Sequence, residues 1–320
     1  MPLFTSPPTS ARGAATDRPS RPRLLRRAGD RRLLAATAAA VTAVLGLGPA
    51  PPVSAAVPIY VGAVGEVEQL ARETGSPLAV HAYAHFDQPV PDARMITVKA
   101  DATWREVAAA PPGSALHSDI VRWARTIEGR PGPVFFAYHH EPEAGGSSAY
   151  GSSADYVSAY RRVVSLFRAE GVTNVRFTWQ MTDWAFRVSP ADPRHAARWY
   201  PGDDYVDVVG ADAFNWFDCG EGRGRWMPLA TLVDPALDFA RAHGKQVSLP
   251  EFGADPDPRR AQWLTEAHDY FVANRDVVTA VFYFNRGPTN PANSDCAWTL
   301  DLPAEHAAFG DMARDSWFAA

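Results

Sequence analysis

Residues 134–180 read VFFAYHHEPEAGGSSAYGSSADYVSAYRRVVSLFRAEGVTNVRFTWQ. The stretch opens on an apolar run, 134–139, and breaks into a loop rich in Gly and Ser at 142–153. From 154 to 170, Tyr156, Val157, Tyr160, Val163, Val164 and Phe167 recur at helical spacing, which predicts an amphipathic helix. Gly171 stands where a helix-terminating glycine belongs. A second apolar run follows at 175–180. Strand, helix and strand in this order predict two parallel strands joined by a helical crossover. Neither strand alternates strictly with polar residues, so both faces are expected to be covered.

The same unit recurs on both sides. Candidate strands lie at 59–63, 78–83, 95–99, 134–139, 175–180, 205–211, 246–250 and 277–284. Helical patterns lie between them at 66–73, 118–128, 154–170, 229–243 and 259–274, with Gly244 closing the fourth. Eight strands alternating with helices predict an α/β fold, a single (β/α)8 TIM barrel over residues 56–320. An open doubly wound sheet is the alternative. No G-x-G-x-x-G follows the first strand and no P-loop occurs, so a nucleotide fold has little support.

Residues 1–55 belong to another class of sequence. They carry eight Arg and two Asp, leaving 23 basic and 34 acidic side chains in the rest. After the basic stretch, 33–47 is apolar and uncharged, and Val53-Ser54-Ala55 places small residues before a cleavage site. This layout predicts a signal peptide cleaved after Ala55, hence a secreted protein without stable membrane association; an uncleaved anchor is the alternative. The acidic remainder argues against nucleic acid as a partner, and a monomer is expected. In an exported chain the only two cysteines, Cys219 and Cys296, are expected to form a disulfide, with two free thiols as the alternative.

In such a barrel, reactive groups sit beyond the C-terminal ends of strands. Glu141 follows the fourth apolar run in FFAYHHEPE, and Glu251 follows the seventh in VSLPEFG. Burying a carboxylate without partners is costly, so both are expected to point into the barrel mouth. Two facing carboxyls suit glycosidic chemistry, in which one protonates the leaving oxygen and the other attacks the anomeric carbon or activates water. Helix capping or Arg pairing would also account for either Glu taken singly. Trp179, Trp184, Trp216 and Trp298 fall near strand ends, and Tyr283 and Phe284 end the eighth strand; flat rings of this kind stack on sugars. His139-His140-Glu141 is a poor metal site because adjacent strand residues face apart, and no H-E-x-x-H occurs. Neither a metal nor a cofactor is expected.

HHEPE around Glu141, WYPGDDYVDVVGADAFN at 199–215 and LPEFG around Glu251 together resemble glycoside hydrolase family 26, which includes many bacterial β-mannanases. The resemblance implies a (β/α)8 barrel, retention of configuration, Glu141 as acid/base and Glu251 as nucleophile. It also implies that His140 and Asp212 contact the sugar, and that Phe214 lines the site. Two positions depart from the family pattern. Ala137 stands where those mannanases usually carry Arg, and Phe214 stands where they carry a Tyr that hydrogen-bonds the nucleophile. Phe214 is therefore expected to leave Glu251 short of a donor. The reading is a secreted retaining endo-β-glycosidase acting on mannan or a related β-linked polysaccharide. An exported glycan-binding barrel without hydrolysis, or a glycosidase of another family in the same clan, are the alternatives.

Overall fold

The computed structural model describes residues 58–287 and 295–320. The expected leader 1–55, and the part of the expected last loop at 288–294, lie outside the described residues. Eight parallel strands form the fold: β1 (Ile59–Gly65), β2 (Ala79–His85), β3 (Met95–Lys99), β4 (Val134–Tyr138), β5 (Val175–Thr182), β6 (Val208–Asn215), β7 (Gln246–Ala254) and β8 (Val278–Asn285). Each pairs with the next, and β1 pairs with both β8 and β2, which closes the ring. A two-residue strand, β9 (Phe318–Ala319), lies parallel to the start of β1.

Helices α1 (Val67–Thr74), α2 (Trp104–Ala109), α3 (Ala115–Glu128), α4 (Ser153–Ala169), α5 (Leu229–Ala242), α6 (Arg260–Ala273) and α7 (Pro303–Arg314) supply the outer layer. Local signals fix their ends. Ser152 and Asp155 form a reciprocal cap at the start of α4, and Gly171 beyond its end takes a left-handed φ of 78°. Sequence periodicity missed α2, which is only six residues long, although Thr103 and Glu106 form the same kind of cap. It also missed α7, announced by Pro303 in its first turn.

Among the described residues, two crossovers contain no α-helix. The β2–β3 connection carries Pro89 and Pro91, and it is held from outside by α3, whose Trp123 Nε1 donates to Phe86 O at 2.8 Å. The β5–β6 connection forms two short 3-10 turns, Asp183–Phe186 and Ala196–Arg198, amid Pro190, Pro193 and Pro201. Proline removes a helical donor and clashes with the preceding turn, which accounts for the interruption.

The strands carry their side chains alternately inward and outward. The lower interior is filled by Met95, Phe135, Ala137, Val208, Ala280 and Phe282. The outward residues pack with the helices in a larger aromatic-rich layer. At the other end, Phe284, Trp298 and the cysteine pair form a separate apolar cluster, with Phe214, Trp216 and Tyr83 packed against it. The candidate site lies at that end.

Candidate active site

Glu141 lies beyond β4 rather than on it. The strand ends at Tyr138, and the chain turns sharply through His139 and Glu141, with φ of 52° and 47°. Such left-handed backbone is uncommon for residues with a Cβ and persists only when neighbours hold it. Here His139 N donates to Val98 O at 2.8 Å and Glu141 N to Gln180 O at 2.9 Å. Ser147 Oγ and Ala144 N both donate to Glu141 O. The turn also separates the two histidines. His139 accepts from Trp104 Nε1 in the outer layer, whereas His140 lies 5.4 Å from the Tyr83 ring. Their divergence comes from this turn and not from the expected strand alternation.

Glu251 lies inside β7, not at its end, because the strand runs on through Ala254. Its pairings to both neighbours shift register around it, between Gly210 and Ala213 on β6 and between Leu249 and Phe252 towards β8. Pro250 has no N–H to give to the ladder. An irregularity of this type re-aims a side chain, and Glu251 is buried with 7 % of its surface exposed.

Around Glu251 the inward residues of five strands form one polar layer. Tyr83 from β2 donates its hydroxyl hydrogen bond to Glu251 Oε1. His81, two residues earlier, bonds Pro250 O at 2.9 Å and faces Thr97 of β3. Thr97 Oγ1 donates to Gln180 Oε1 of β5 at 2.8 Å. Gln180 Nε2 donates to both oxygens of Asp212 on β6, at 2.9 and 3.1 Å, and lies 3.4 Å from Glu251 Oε1. The expected shortage of donors at Glu251 is thus corrected. Phe214 has no hydroxyl, but Tyr83 supplies one from across the barrel. Likewise Ala137 is a small interior residue, while the cation acting on both Glu141 and Glu251 is Lys99 at the end of β3.

Burial dominates the electrostatics. It pushes Glu141 up to about 7, against the attraction of Lys99. It pushes Glu251 up to about 8, reinforced by repulsion from Glu141 and opposed by the Tyr83 hydrogen bond. Asp212 is raised by burial and then by both glutamates. Both members of the candidate pair are therefore raised, Glu251 above Glu141.

A cleft of about 710 Å³ opens over this layer, a size typical of ligand sites. Glu141, Asp212, Phe214, Trp184 and Trp216 line it. Trp184 has Arg194 stacked over one face at 4.1 Å. Trp298 is buried behind the wall, 4.7 Å from the Phe214 ring and 5.2 Å from that of Trp216. Trp298 and Phe284, expected to stack on sugar, thus belong to the apolar cluster and not to the lining, and two more of the expected rings do not reach the cleft. Trp179 is fully buried against Tyr200 and Phe239 outside the barrel, and Tyr283 against Phe252 and Phe309. Both alternate with inward neighbours, Gln180 beside Trp179 and Phe282 and Phe284 beside Tyr283, so strand parity turns them away. Cys219 and Cys296 are disulfide-bonded, as expected, and tie the loop after β6 to the loop after β8.

Four residues that sequence reasoning passed over belong to the site. Tyr83 and Lys99 close the candidate strands 78–83 and 95–99, so the strand-end rule that found Glu141 also points to them. Gln180 ends the fifth candidate strand. Glu143 also lines the cleft. It is buried, accepts from Thr182 N at 2.9 Å and Thr182 Oγ1 at 2.6 Å, and is pushed by burial up to about 8. His85, Asp87 and Asp101 bring ligand-type atoms together outside the cleft, and the two aspartates are exposed.

A parallel (β/α)8 barrel with buried carboxyls on β6, on β7 and after β4, beneath an aromatic-lined cleft, is a barrel of the glycoside hydrolase class. Residues 80–273 match the family model for glycosyl hydrolase family 26. The chain belongs to that family. It is 27 % identical over 168 residues to endoglucanase H of Acetivibrio thermocellus, a match covering 51 % of this chain and 17 % of that protein. It is 24 % identical over 219 residues to the β-1,3-xylanase TXYA of a Vibrio species, covering 61 % and 43 %. The chain thus spans less than half the length of these curated relatives. Among solved structures, GH26C of a Muricauda species superposes with a TM-score of 0.53 at 14 % identity, covering 82 % of this chain and 87 % of that one; this likeness concerns the fold alone.

Proposed function

We propose that the protein is a retaining endo-β-glycosidase acting on β-linked polysaccharide, with Glu141 as acid/base and Glu251 as nucleophile. The observation that carries the reading is the pair itself. Two carboxyls, the partly buried Glu141 after β4 and the buried Glu251 on β7, both raised by desolvation and the second also by the charge of the first, stand at the mouth of a family 26 barrel. Near neutrality the pair holds one proton. Glu251 holds that proton more tightly than Glu141 in the free protein, and the productive arrangement is the one with it on Glu141, which gives it to the leaving oxygen while ionised Glu251 attacks the anomeric carbon. Glu141 then takes a proton from the water that releases the sugar. Asp212, Trp184 and Trp216 are assigned to substrate contact because they line the cleft, and His140 because it lies beside Tyr83.

The names of these relatives point to glucan and to β-1,3-xylan, so the polymer is chosen by experiment. Wild type and Glu251→Ala are tested on β-mannans, β-xylans and β-glucans by following new reducing ends, and the anomer released first is read by NMR. Release by wild type alone, with retained configuration, is expected. Equal release by both proteins would overturn the assignment of Glu251. Release with inversion would overturn the nucleophile role. Binding without release by either protein would favour the glycan-binding alternative.

The leader composition supports export, with residues 1–55 removed. The amino-terminal sequence of protein recovered from the medium should begin at Ala56.

A further inference from the structure

Glu251 has two oxygens, and the barrel treats them differently. Oε1 receives the Tyr83 hydroxyl, and Gln180 Nε2 approaches the same oxygen more distantly. That amide is already committed to Asp212 at shorter range. No hydrogen bond to Oε2 is found among the described residues. We propose that Tyr83 is a positioning residue for Glu251, pinning Oε1 so that Oε2 is the oxygen presented to the anomeric carbon. The inference rests on Glu251 being the nucleophile, as argued above.

Tyr83 is built for that task. It sits on β2 in register with Thr97 of β3, and its ring is held between His81 at 4.7 Å and His140 at 5.4 Å. Burial and the surrounding carboxylates raise the phenol far above its ordinary range, so it remains a donor at every working pH. The charged groups acting on Glu251 from other elements are Lys99 on β3, Glu141 after β4, Asp212 on β6 and Arg286 after β8. Burial keeps His81 and His140 uncharged near neutrality. Replacing Tyr83 by Phe changes none of these charges and removes one hydroxyl.

The reaction sequence says where the loss should fall. In the first step a lone pair of Oε2 forms the bond to the anomeric carbon. The glycosidic C–O bond breaks, and its electron pair leaves on an oxygen that takes the Glu141 proton. In the second step water adds to that carbon and gives a proton to Glu141. The C–Oε2 bond breaks, and its electrons return to the carboxylate. A hydrogen bond to Oε1 is stronger when Glu251 is an anion than when it is an ester. Tyr83 therefore favours Glu251 as the departing carboxylate of the second step. Without the hydroxyl, that step slows most and the glycosyl-enzyme accumulates.

The test compares wild type with Tyr83→Phe in the full chain. On the polymer or aryl glycoside that wild type cleaves, kcat should fall about ten- to a hundredfold, KM should fall with it, and intact mass should show trapped glycosyl-enzyme. The basic limb of kcat/KM should move up by about one pH unit, because Glu251 is the last of the pair to lose its proton and the lost bond had favoured its ionisation. Unchanged kcat and an unmoved limb would overturn the proposal.

A measurement independent of turnover separates this outcome from failure of the enzymatic reading. The carboxyl carbons of Glu are labelled with carbon-13 and titrated by NMR, with Glu251→Gln assigning the signal. Glu251 should titrate at higher pH in Tyr83→Phe than in wild type, and identical titrations would overturn the proposal even if no substrate is found. If the Phe variant does not fold, a variant at Glu251 still decides. A downfield phenolic proton present in wild type and absent in Glu251→Ala, which removes the acceptor, supports the hydrogen bond, and its persistence there refutes it.

Discussion

Glu143 stands two residues from the proposed acid and was invisible as a site residue from the sequence, where it falls in the loop at 142–153. In the folded chain it keeps its proton up to about pH 8, against an ordinary value of 4.5. Between those values the folded state binds a proton that the unfolded state has released, so stability falls as pH rises through the window. Below it both states are protonated and the group costs nothing. Glu143→Gln should therefore stabilise the fold at pH 8, on the order of 2–4 kcal/mol, with the gain vanishing at pH 4. Thermal melts at the two values check this. The proposed catalytic pair gives a second expectation. With Glu141 raised to about 7 and Glu251 to about 8, the singly protonated pair exists over a narrow range, so kcat/KM should be bell-shaped with its maximum between those values. A flat profile across that range would refute the pair. Strand-end position exposed Glu141 and Glu251 to sequence reading, but the partner that tunes Glu251 comes from a strand 168 positions away, which no local pattern encodes.

The loop after β6 shows how an element without regular structure can still be rigid. It folds back on itself through a bridge between Phe217 and Arg225. Gly222 packs so tightly on Phe217 that a Cβ there would meet the Phe217 carbonyl oxygen at 2.1 Å. The disulfide then fastens it to the loop carrying Trp298. Replacing both cysteines by Ser should destabilise the fold by about 2–4 kcal/mol, given the 77-residue separation, and denaturant midpoints check it. KM should rise more than kcat falls, since Trp216 and Phe214 line the cleft beside that loop. The regular elements were legible because their apolar spacing is long and periodic. No helical pattern was readable after β2 or after β5, and among the described residues the structure has no α-helix there. The stacking roles expected for Trp179 and Tyr283 failed for a different reason. Strand parity decides which face a ring occupies, and nearness to a strand end does not reveal it.

For the molecule as a whole, the eightfold alternation readable from 56 onward predicted a closed barrel, as the structure has it, yet the fit between the first strand and its neighbours that closes the ring was not in that pattern. Gly62 is where that fit is tightest. A Cβ there would meet Ala79 O at 2.2 Å and Phe282 Cδ1 at 2.7 Å. Gly62→Ala should cost roughly 3 kcal/mol or more through forced separation of β1 from β2. Gly171→Ala, where only the left-handed φ of 78° opposes the change and nothing lies within 4 Å, should cost about 1 kcal/mol. Parallel denaturant titrations would check the ordering, and equal losses would show that closure does not rest on Gly62.

The two-residue strand β9 has a bearing on how the molecule breathes. Between β1 and β2 the register covers only Gly62 with Ala79 and Ala63 with Val80. Lower down, Ile59 and Tyr60 are paired with Phe318 and Ala319. The wall is therefore a zip whose last teeth come from the far end of the chain, and the seam behaves as a latch. Slipping Phe318 from its place would free the lower half of β1 on that side. Amide protons there should exchange with solvent well before those of the uninterrupted five-pair β5–β6 seam, so the first opening of the barrel runs along its shortest join.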